Sequence, residues 1–586
     1  MPVRHSPLWL RVVLLLGLLC AAGLTFGRLP YAPLRALGDH LAADGSLNAL
    51  TPARLAALQR LADVLGMAAL LLGAAVFTLR RQSEALLRSL LAGLRAAPRR
   101  MRGEVLALSA AMRRPHNPHT GYFLLALSVL GAGLRFLWLD APMQYDESYT
   151  AIAFAMRPLA ALMGDYHLPN NHIFHSVLVH FSIGFFGLHP WSVRLPVYLA
   201  GISLIPLGYL TARALYGRPV ALLSAALIAV SQPLITYAAN ARGYTLIAAF
   251  TLLGLLLAAQ ILRHDSLIAW LGLALTGMAG AWTVPVMLYP YSTTLAWLLL
   301  GWLWGDAGRP RRRAFPMLLA GCALLTLVGA LLLYLPVLLR SGPDALLGNR
   351  WVSPLSWQAF WEDLPARLYH TWQEWHAGLP GWMAWLSSAC VGLALATGKS
   401  VRRFRAALWP AAVAGILPLL MIQRVAPIAK VWLFAQPLWL MGVAAGCWLA
   451  VQKGASLVGQ PRPLEIPVRA LWLGALLLGG IAIPWQSGLR QATSRGVLDE
   501  FPTAADYILS HWQSGDGVEI SNSYDAPLWF AFAERGASRN AFPALNAQGD
   551  YRRLWHVNVQ GERPPGEDAV PVLSLPHVQI YLRTSP

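Results

Sequence analysis

Long apolar runs dominate the chain, broken by short segments that carry arginine. The run LWLRVVLLLGLLCAAGLTF from Leu8 is typical. Runs of this kind approach the roughly 20 residues that a helix needs to cross a bilayer. They predict spans at 8–27, 61–79, 121–139, 195–213, 219–237, 244–262, 266–283, 285–304, 314–338, 379–397, 407–423, 431–450 and 469–487, about thirteen in all. One run is different. NNHIFHSVLVHFSIGFFGL (170–188) is long enough to span, but its His172, Ser176 and His180 share one helical face while Ile173, Val177 and Phe181 share another. Its histidines and asparagines are also costly in hydrocarbon. The pattern predicts a juxtamembrane helix lying on the outer surface. From 488 the pattern changes again. FPTAADYILSHWQSGDG reads as a capped helix turning at Gly515 and Gly517, and VEIS, LWHVNV and VQIYLR read as strands.

The expected organisation has three parts: a two-span extension over 1–118, a transmembrane module over 119–487, and a small C-terminal α/β domain over 488–586. Arginine orients it. The loop 80–114 holds nine arginines, so it is placed in the cytoplasm. Its spacing suits either an amphipathic helix on anionic lipid or a plain topogenic cluster. With 170–188 outside the spans, RPRRR (309–313) and KSVRRFR (399–405) also fall inside. The N-terminus is then cytoplasmic, as an uncleaved signal-anchor, and the C-terminal domain is periplasmic in a bacterial inner membrane.

Composition agrees. Of 586 residues, 56% are hydrophobic and 12% charged, about half the roughly 25% charge of a soluble protein. The net charge of +19 does not imply nucleic acid, because the arginines sit in loops between spans. All four cysteines lie in apolar segments, which argues against a disulfide framework. Five tryptophans between 351 and 375 fit an interfacial belt or, alternatively, a sugar-stacking surface.

Under this threading APMQYDESYT (141–150), PNNHIFH (169–175), YAANARGY (237–244) and QRVAPIAK (423–430) meet on the outer face. They bring carboxylates, amides and imidazoles together with guanidinium and ammonium groups. Asp146 is placed to accept a proton from a hydroxyl. Arg242, Lys430 and Arg424 suit a phosphate. Each also has a plainer role, as a solvated boundary acid or an interfacial anchor. His172 and His175 are one turn apart, a weak metal signal; Asp165, His167 and His180 read as structural.

The run from YDESYT through PNNHIFHSVLVHFSIGFFGLHPWSVRLPVYLAGISLIPLGYL to YAANARGYTL resembles the GT-C membrane glycosyltransferases of glycosyltransferase family 39 and their bacterial relatives, which include protein O-mannosyltransferases and lipid A aminoarabinose transferases. The resemblance covers roughly 120–265 and rests on the acid pair, on Arg-Leu-Pro at 194–196 and on Ala-Arg-Gly-Tyr at 241–244. It implies a polytopic α-helical GT-C-like fold and inverting transfer of a sugar from a polyprenyl-phosphate donor to a lipid, glycan or protein acceptor. Asp146 takes the base role, with Glu147 supporting it or binding a divalent cation (Mg or Mn) alongside His172. The substrate-binding set it implies is Tyr145, Asn170, Asn171, His172, Arg242, Tyr244, Arg424 and Lys430. Where many relatives have a His-Pro-Pro or Lys-Pro stretch, this chain has Asn170-Asn171-His172, which leaves the metal and the acceptor open. A transporter of lipid-linked glycans and a non-catalytic envelope assembly protein are the rival classes; a transporter would want ionisable groups at the bilayer midplane.

Overall fold

The computed structural model describes residues 7–41, 51–82, 84, 88, 99, 102–104, 118–264, 266–306, 314–342, 344–347, 353–397, 402–457, 499–520, 524–537, 552–559 and 568–584. The expected span at 469–487 and most of the basic loop 80–114 lie outside them. Among the described residues seven helices are long and apolar enough to cross a membrane: Leu8–Phe26, Leu58–Thr78, Pro190–Leu215, Tyr244–Arg263, Pro285–Leu303, Phe315–Leu333 and Ala429–Gly454. A bent pair makes an eighth. Leu267–Thr283, Gly381–Thr397 and Leu408–Gln423 are apolar helices of 17, 17 and 16 residues, near the short limit for a span. The chain is a polytopic α-helical membrane protein with a small C-terminal sheet.

It divides into two units. The smaller contains residues 1–115 with 266–268 and 335–346. In it, Leu8–Phe26 packs on Pro52–Thr78 through small residues, and a Cβ on Gly23 would stand 2.6 Å from the Ala62 carbonyl. Such close backbones are the usual means of joining helices in lipid. The larger unit contains the rest of the chain and the acid pair.

The single span expected at 219–237 is broken. Arg218–Val230 and Gln232–Ala238 meet at Ser231 with a 57° bend. Pro233 lies in the first turn of the second piece, where a missing N–H costs nothing, whereas in a continuous helix it would clash with the preceding turn. The break leaves carbonyls unpaired at the end of the first piece. Buried Arg135 fills that need, donating to Ala229 at 3.0 Å and Ile228 at 3.2 Å as well as to Gly131 at 2.8 Å. A cation at a helix C-terminus also meets the negative end of the helix dipole.

The segment 170–188 forms a helix at Ile173–Phe186, 14 residues long, or about 21 Å. That falls short of the ~30 Å hydrocarbon core. Its buried side holds His172, His175 and Ser176 together with Ile173 and Val179, while Phe181, Phe185 and Phe186 are exposed, so Ile173 does not lie on the opposite face as the spacing led one to expect.

Among the described residues the C-terminal domain has a helix at Phe501–Ser510 and four strands: β1 (Asp516–Ile520), β2 (Arg553–Val559), β3 (Val570–Ser574) and β4 (Val578–Thr584). The sheet order is β1-β2-β4-β3, with β1 and β2 parallel and the other pairs antiparallel. Strand β3 and the helix Asp525–Glu534 were not expected from the residue pattern. That helix is buried on nearly every side, so it shows no amphipathic period. Phe530 and Phe532 share one core with Met143, Ala151 and Ile152, which flank the acid pair. The α/β domain therefore packs on the segment that carries Asp146.

Gly446 brings two helices of the larger unit together. A Cβ there would stand 1.9 Å from the Cys390 carbonyl oxygen, and backbone cannot step aside. Gly446→Ala is expected to lower stability by more than about 2 kcal/mol, read as a lower Tm of the detergent-purified protein.

Candidate functional site

Tyr145–Tyr149 is one short helical turn that runs directly into a π-helical stretch, Thr150–Ala155. Gln144 and Glu147 close a reciprocal capping box, which fixes the start of the turn. The two acids consequently point different ways.

Glu147 is completely buried. Arg194 grips it with two bonds, Nε to Oε2 at 3.0 Å and Nη2 to Oε1. The backbone N–H of Gln144 donates to Oε1 at 2.8 Å and that of Ala241 to Oε2 at 2.9 Å. Arg194 spends its other N–H groups on carbonyls of the turn that follows the Pro118–Phe136 helix, Leu139 at 2.8 Å, Ala141 at 2.5 Å and Pro142 at 3.1 Å. Desolvating this pair is compensated only because every lone pair and proton finds a partner. Glu147 thus ties three segments together: the loop after 136, the start of the Pro190–Leu215 helix, and the 240–243 turn.

Asp146 faces the other way, and its side chain is 41% exposed. Its Oδ2 lies 3.0 Å from Arg242 Nη1 and 3.1 Å from Lys430 Nζ. Burial pushes the carboxyl up, but Arg242 and then Lys430 outweigh it and hold the group below the usual carboxylate range. Lys430 opens a 3-10 turn, Ala429–Ala435. Arg242 leads into the Tyr244–Arg263 helix. The Tyr244 ring lies beneath both cations, 5.8 Å from Arg242 Cζ and 6.0 Å from Lys430 Nζ.

His172 completes the group. The Gly243 N–H donates to its Nδ1 at 2.7 Å. A backbone amide only donates, so Nδ1 is bare and the ring carries its proton on Nε2. Burial first, and Arg242 second, keep the ring neutral far below its ordinary pKa. Nε2 sits 3.3 Å from Arg242 Nη2. Two donors therefore face each other, which is no hydrogen bond between them but a seat for one shared oxygen acceptor. The seat requires Gly243, since a Cβ there would meet Thr283 at 2.4 Å and His172 Nδ1 at 3.1 Å.

The other expected residues are placed as follows. Asn170 donates to the Asp146 carbonyl at 3.0 Å, and Asn171 donates to Leu162 and Asp165 carbonyls at 2.9 and 2.7 Å. Both brace the loop. Tyr145 stacks on Tyr149 and turns to Asp525 of the C-terminal domain, away from the cation cluster. Arg424 adopts a left-handed conformation at φ 47° and stacks over Trp357 at 5.6 Å; no contact with Asp146 occurs among the described residues. The structure does not bring Glu147 and His172 to one cation. The oxygens of Glu147 are filled by Arg194 and backbone N–H groups, and the bare nitrogen of His172 is filled by Gly243. Among the described residues no group of three or more His, Cys, Asp or Glu side chains has a metal-holding arrangement.

Two participants were missed by inspection of the residues. Arg194 enters the sequence reading only through the Arg-Leu-Pro run, yet an arginine inside an apolar helix signals a buried acidic partner. Glu374, on the Trp357–Trp375 helix, lies within electrostatic reach of Lys430; burial raises its carboxyl, with His370 and Lys430 pulling it back.

No protein-family model matches the chain, and no curated protein sequence does. Solved structures do. ArnT from Cupriavidus metallidurans bound to undecaprenyl phosphate matches with TM-score 0.55 at 14% identity, over 80% of this chain and 98% of that one. Its apo state gives TM-score 0.53 at the same identity and coverage. The chain has the GT-C fold. The GT-C likeness extends well beyond 120–265, where the residue resemblance lay.

Breaking the buried pair from either side should be severe. Glu147→Gln and Arg194→Met are each expected to cost about 3–5 kcal/mol, with the double variant less damaging than the sum, measured as a thermal double-mutant cycle. The Asp146 ion pairs behave differently. A carboxyl whose folded pKa is depressed stabilises above its unfolded pKa, about 3.9, and loses that stabilisation as pH falls through the lower folded value. Lys430→Met should move this loss to higher pH in a Tm-versus-pH series.

Proposed function

We propose that the protein is an inverting glycosyltransferase that moves a sugar from a polyprenyl-phosphate donor to an acceptor hydroxyl at the periplasmic face of the inner membrane. The observation that carries this reading is the Asp146–Arg242–Lys430 cluster, with the donor seat between His172 and Arg242 beside it. A base and an anion site lie within one side-chain length of each other. The GT-C fold and the undecaprenyl phosphate bound by ArnT support a lipid-carried donor. The acceptor is a lipid, glycan or protein.

In this mechanism the donor phosphate takes Arg242, Lys430 and the His172 Nε2–H as its partners. Asp146 then loses the two cations that depress it, and its basicity rises when substrate is present. The acceptor hydroxyl gives its proton to Asp146, its oxygen forms the new bond to the anomeric carbon, and the carbon–phosphate oxygen bond breaks on the opposite side. The configuration inverts. Negative charge gathering on the leaving phosphate is met by donors already in place, which lowers the barrier electrostatically. Glu147 positions the turn and does not touch substrate. No step is assigned to a divalent cation.

Orientation is part of the proposal. Arg213 and Arg263 close the far ends of the Pro190–Leu215 and Tyr244–Arg263 helices, and the positive-inside rule then puts the acid pair outside. The transmembrane catalytic module is 119–487, carrying a periplasmic domain at 488–586 and a two-span extension at 1–118.

Asp146→Asn should leave membrane insertion and donor binding intact and abolish release of free polyprenyl phosphate when acceptor is present; substantial turnover would remove Asp146 from the base role. At 172 the test is chemical. Phe should weaken donor binding about tenfold or more, while Gln, which restores an N–H near Nε2, should recover part of it. Equal losses in both variants would assign His172 to packing alone.

A further inference from the structure

A cavity of about 230 Å³ has its Tyr216–Arg402 side at the end of the membrane bundle opposite the Asp146 cluster and runs back between the helices as far as Phe434, on the same 3-10 turn as Lys430. Its lining includes Tyr216, Leu255, Leu395, Arg402, Trp409 and Phe434. The Pro190–Leu215 helix supplies the ruler: Arg194 stands at the acid pair and Tyr216 follows the last turn, a separation of roughly 33 Å. Leu395 and Trp409 are each 54% exposed, so the cavity opens sideways between the Gly381–Thr397 and Leu408–Gln423 helices, towards lipid.

The lining is apolar apart from the Tyr216 phenol, two threonines and one charge. Thr251 and Thr293 turn their hydroxyls to carbonyls of their own helices, Ile247 at 2.7 Å and Tyr289 at 2.9 Å. Arg402 is the sole charged side chain in the wall. Two more guanidinium groups stand near it. Arg403 follows it in the chain, with its backbone N–H on the Leu215 carbonyl at 2.8 Å, and Arg263 lies over Phe404 at 4.7 Å, close enough to Arg403 for the two to repel. Among the described residues none of the three has an ion-pair partner. The nearby Asp306 carboxylate is spent on the backbone N–H groups of Arg405 and Ala406, at 2.8 and 2.9 Å.

We infer that this is a binding site for one anionic phospholipid of the leaflet facing away from Asp146, with an acyl chain in the cavity and its phosphate on Arg402. A hydrocarbon slot with a single cation at its rim, in a field of two further arginines, matches an amphiphile with one negative head. Basic pockets between membrane helices on the positive side recognise such headgroups. The donor lipid fits less well, because neither Arg242 nor Lys430 lines the cavity and its phosphate belongs at the other end. The site is independent of the proposed chemistry, and neither Arg402 nor the cavity wall belongs to the Asp146 cluster.

The test is native mass spectrometry of the full chain released from nanodiscs of mixed phosphatidylglycerol and phosphatidylcholine. One phosphatidylglycerol per chain should be retained in preference to phosphatidylcholine. Arg402→Gln should lower that retention about fivefold, and Ala412→Leu, which fills the cavity from its wall, should abolish it. Addition of phosphatidylglycerol to delipidated protein should raise the Tm of the parent and not of Arg402→Gln. Equal retention of both lipids, or unchanged retention in Arg402→Gln, would overturn the assignment. Displacement of the phosphatidylglycerol, one for one, by added polyprenyl phosphate would overturn it too and give the cavity to the donor tail.

Discussion

The buried contact between Glu147 and Arg194 is the constraint from which the functional geometry follows. A fully desolvated carboxylate survives only when all its lone pairs are engaged. Here they are engaged by a guanidinium and an amide distant in sequence, Arg194 and Ala241, and by the local amide of Gln144. The same guanidinium collects carbonyls of the turn at 139–142. One side chain therefore sets the direction of its neighbour. With Glu147 locked inward, Asp146 has nowhere to go but toward Arg242 and Lys430.

That division of labour gives the adjacent acids opposite electrostatic characters. Glu147 is neutralised permanently and acts as structure. Asp146 is paired with two cations and remains 41% exposed, and in the proposed function those cations pass to the donor phosphate. The neutral imidazole of His172 contributes without adding charge. Gly243 dictates its tautomer, and the position of its remaining proton beside Arg242 is a consequence of one backbone amide.

The polytopic class was legible because hydrophobic run length is a direct physical readout of bilayer thickness, but the number of spans was not: among the described residues seven helices qualify, and the expected 121–139 span, a helix over Pro118–Phe136, is not one of them. The four-residue spacing of His172 and Ser176 marked a shared polar face, but it did not show that this face turns inward or that Ile173, expected on the opposite face, is buried as well. Pro233 announced the break after Ser231, but an apolar run on both sides hid it. The partnerships within the site were not readable. Glu147 and Arg194 are 47 residues apart, and His172 and Gly243 are 71 apart; local pattern carries no information about which buried polar groups will meet. The helix Asp525–Glu534 escaped notice for a different reason: burial on all sides erases the periodicity by which helices are recognised.

Phe530 and Phe532 of the C-terminal domain lie in one hydrophobic cluster with Met143 and Ile152, on either side of the acid pair. The domain therefore serves as a splint for that turn. A chain shortened before 499 would expose apolar side chains around the very turn that presents Asp146, and the loss would reach the membrane module through packing, without any change in the membrane helices themselves. A minimal version of this protein cannot be made by trimming it to its hydrophobic part.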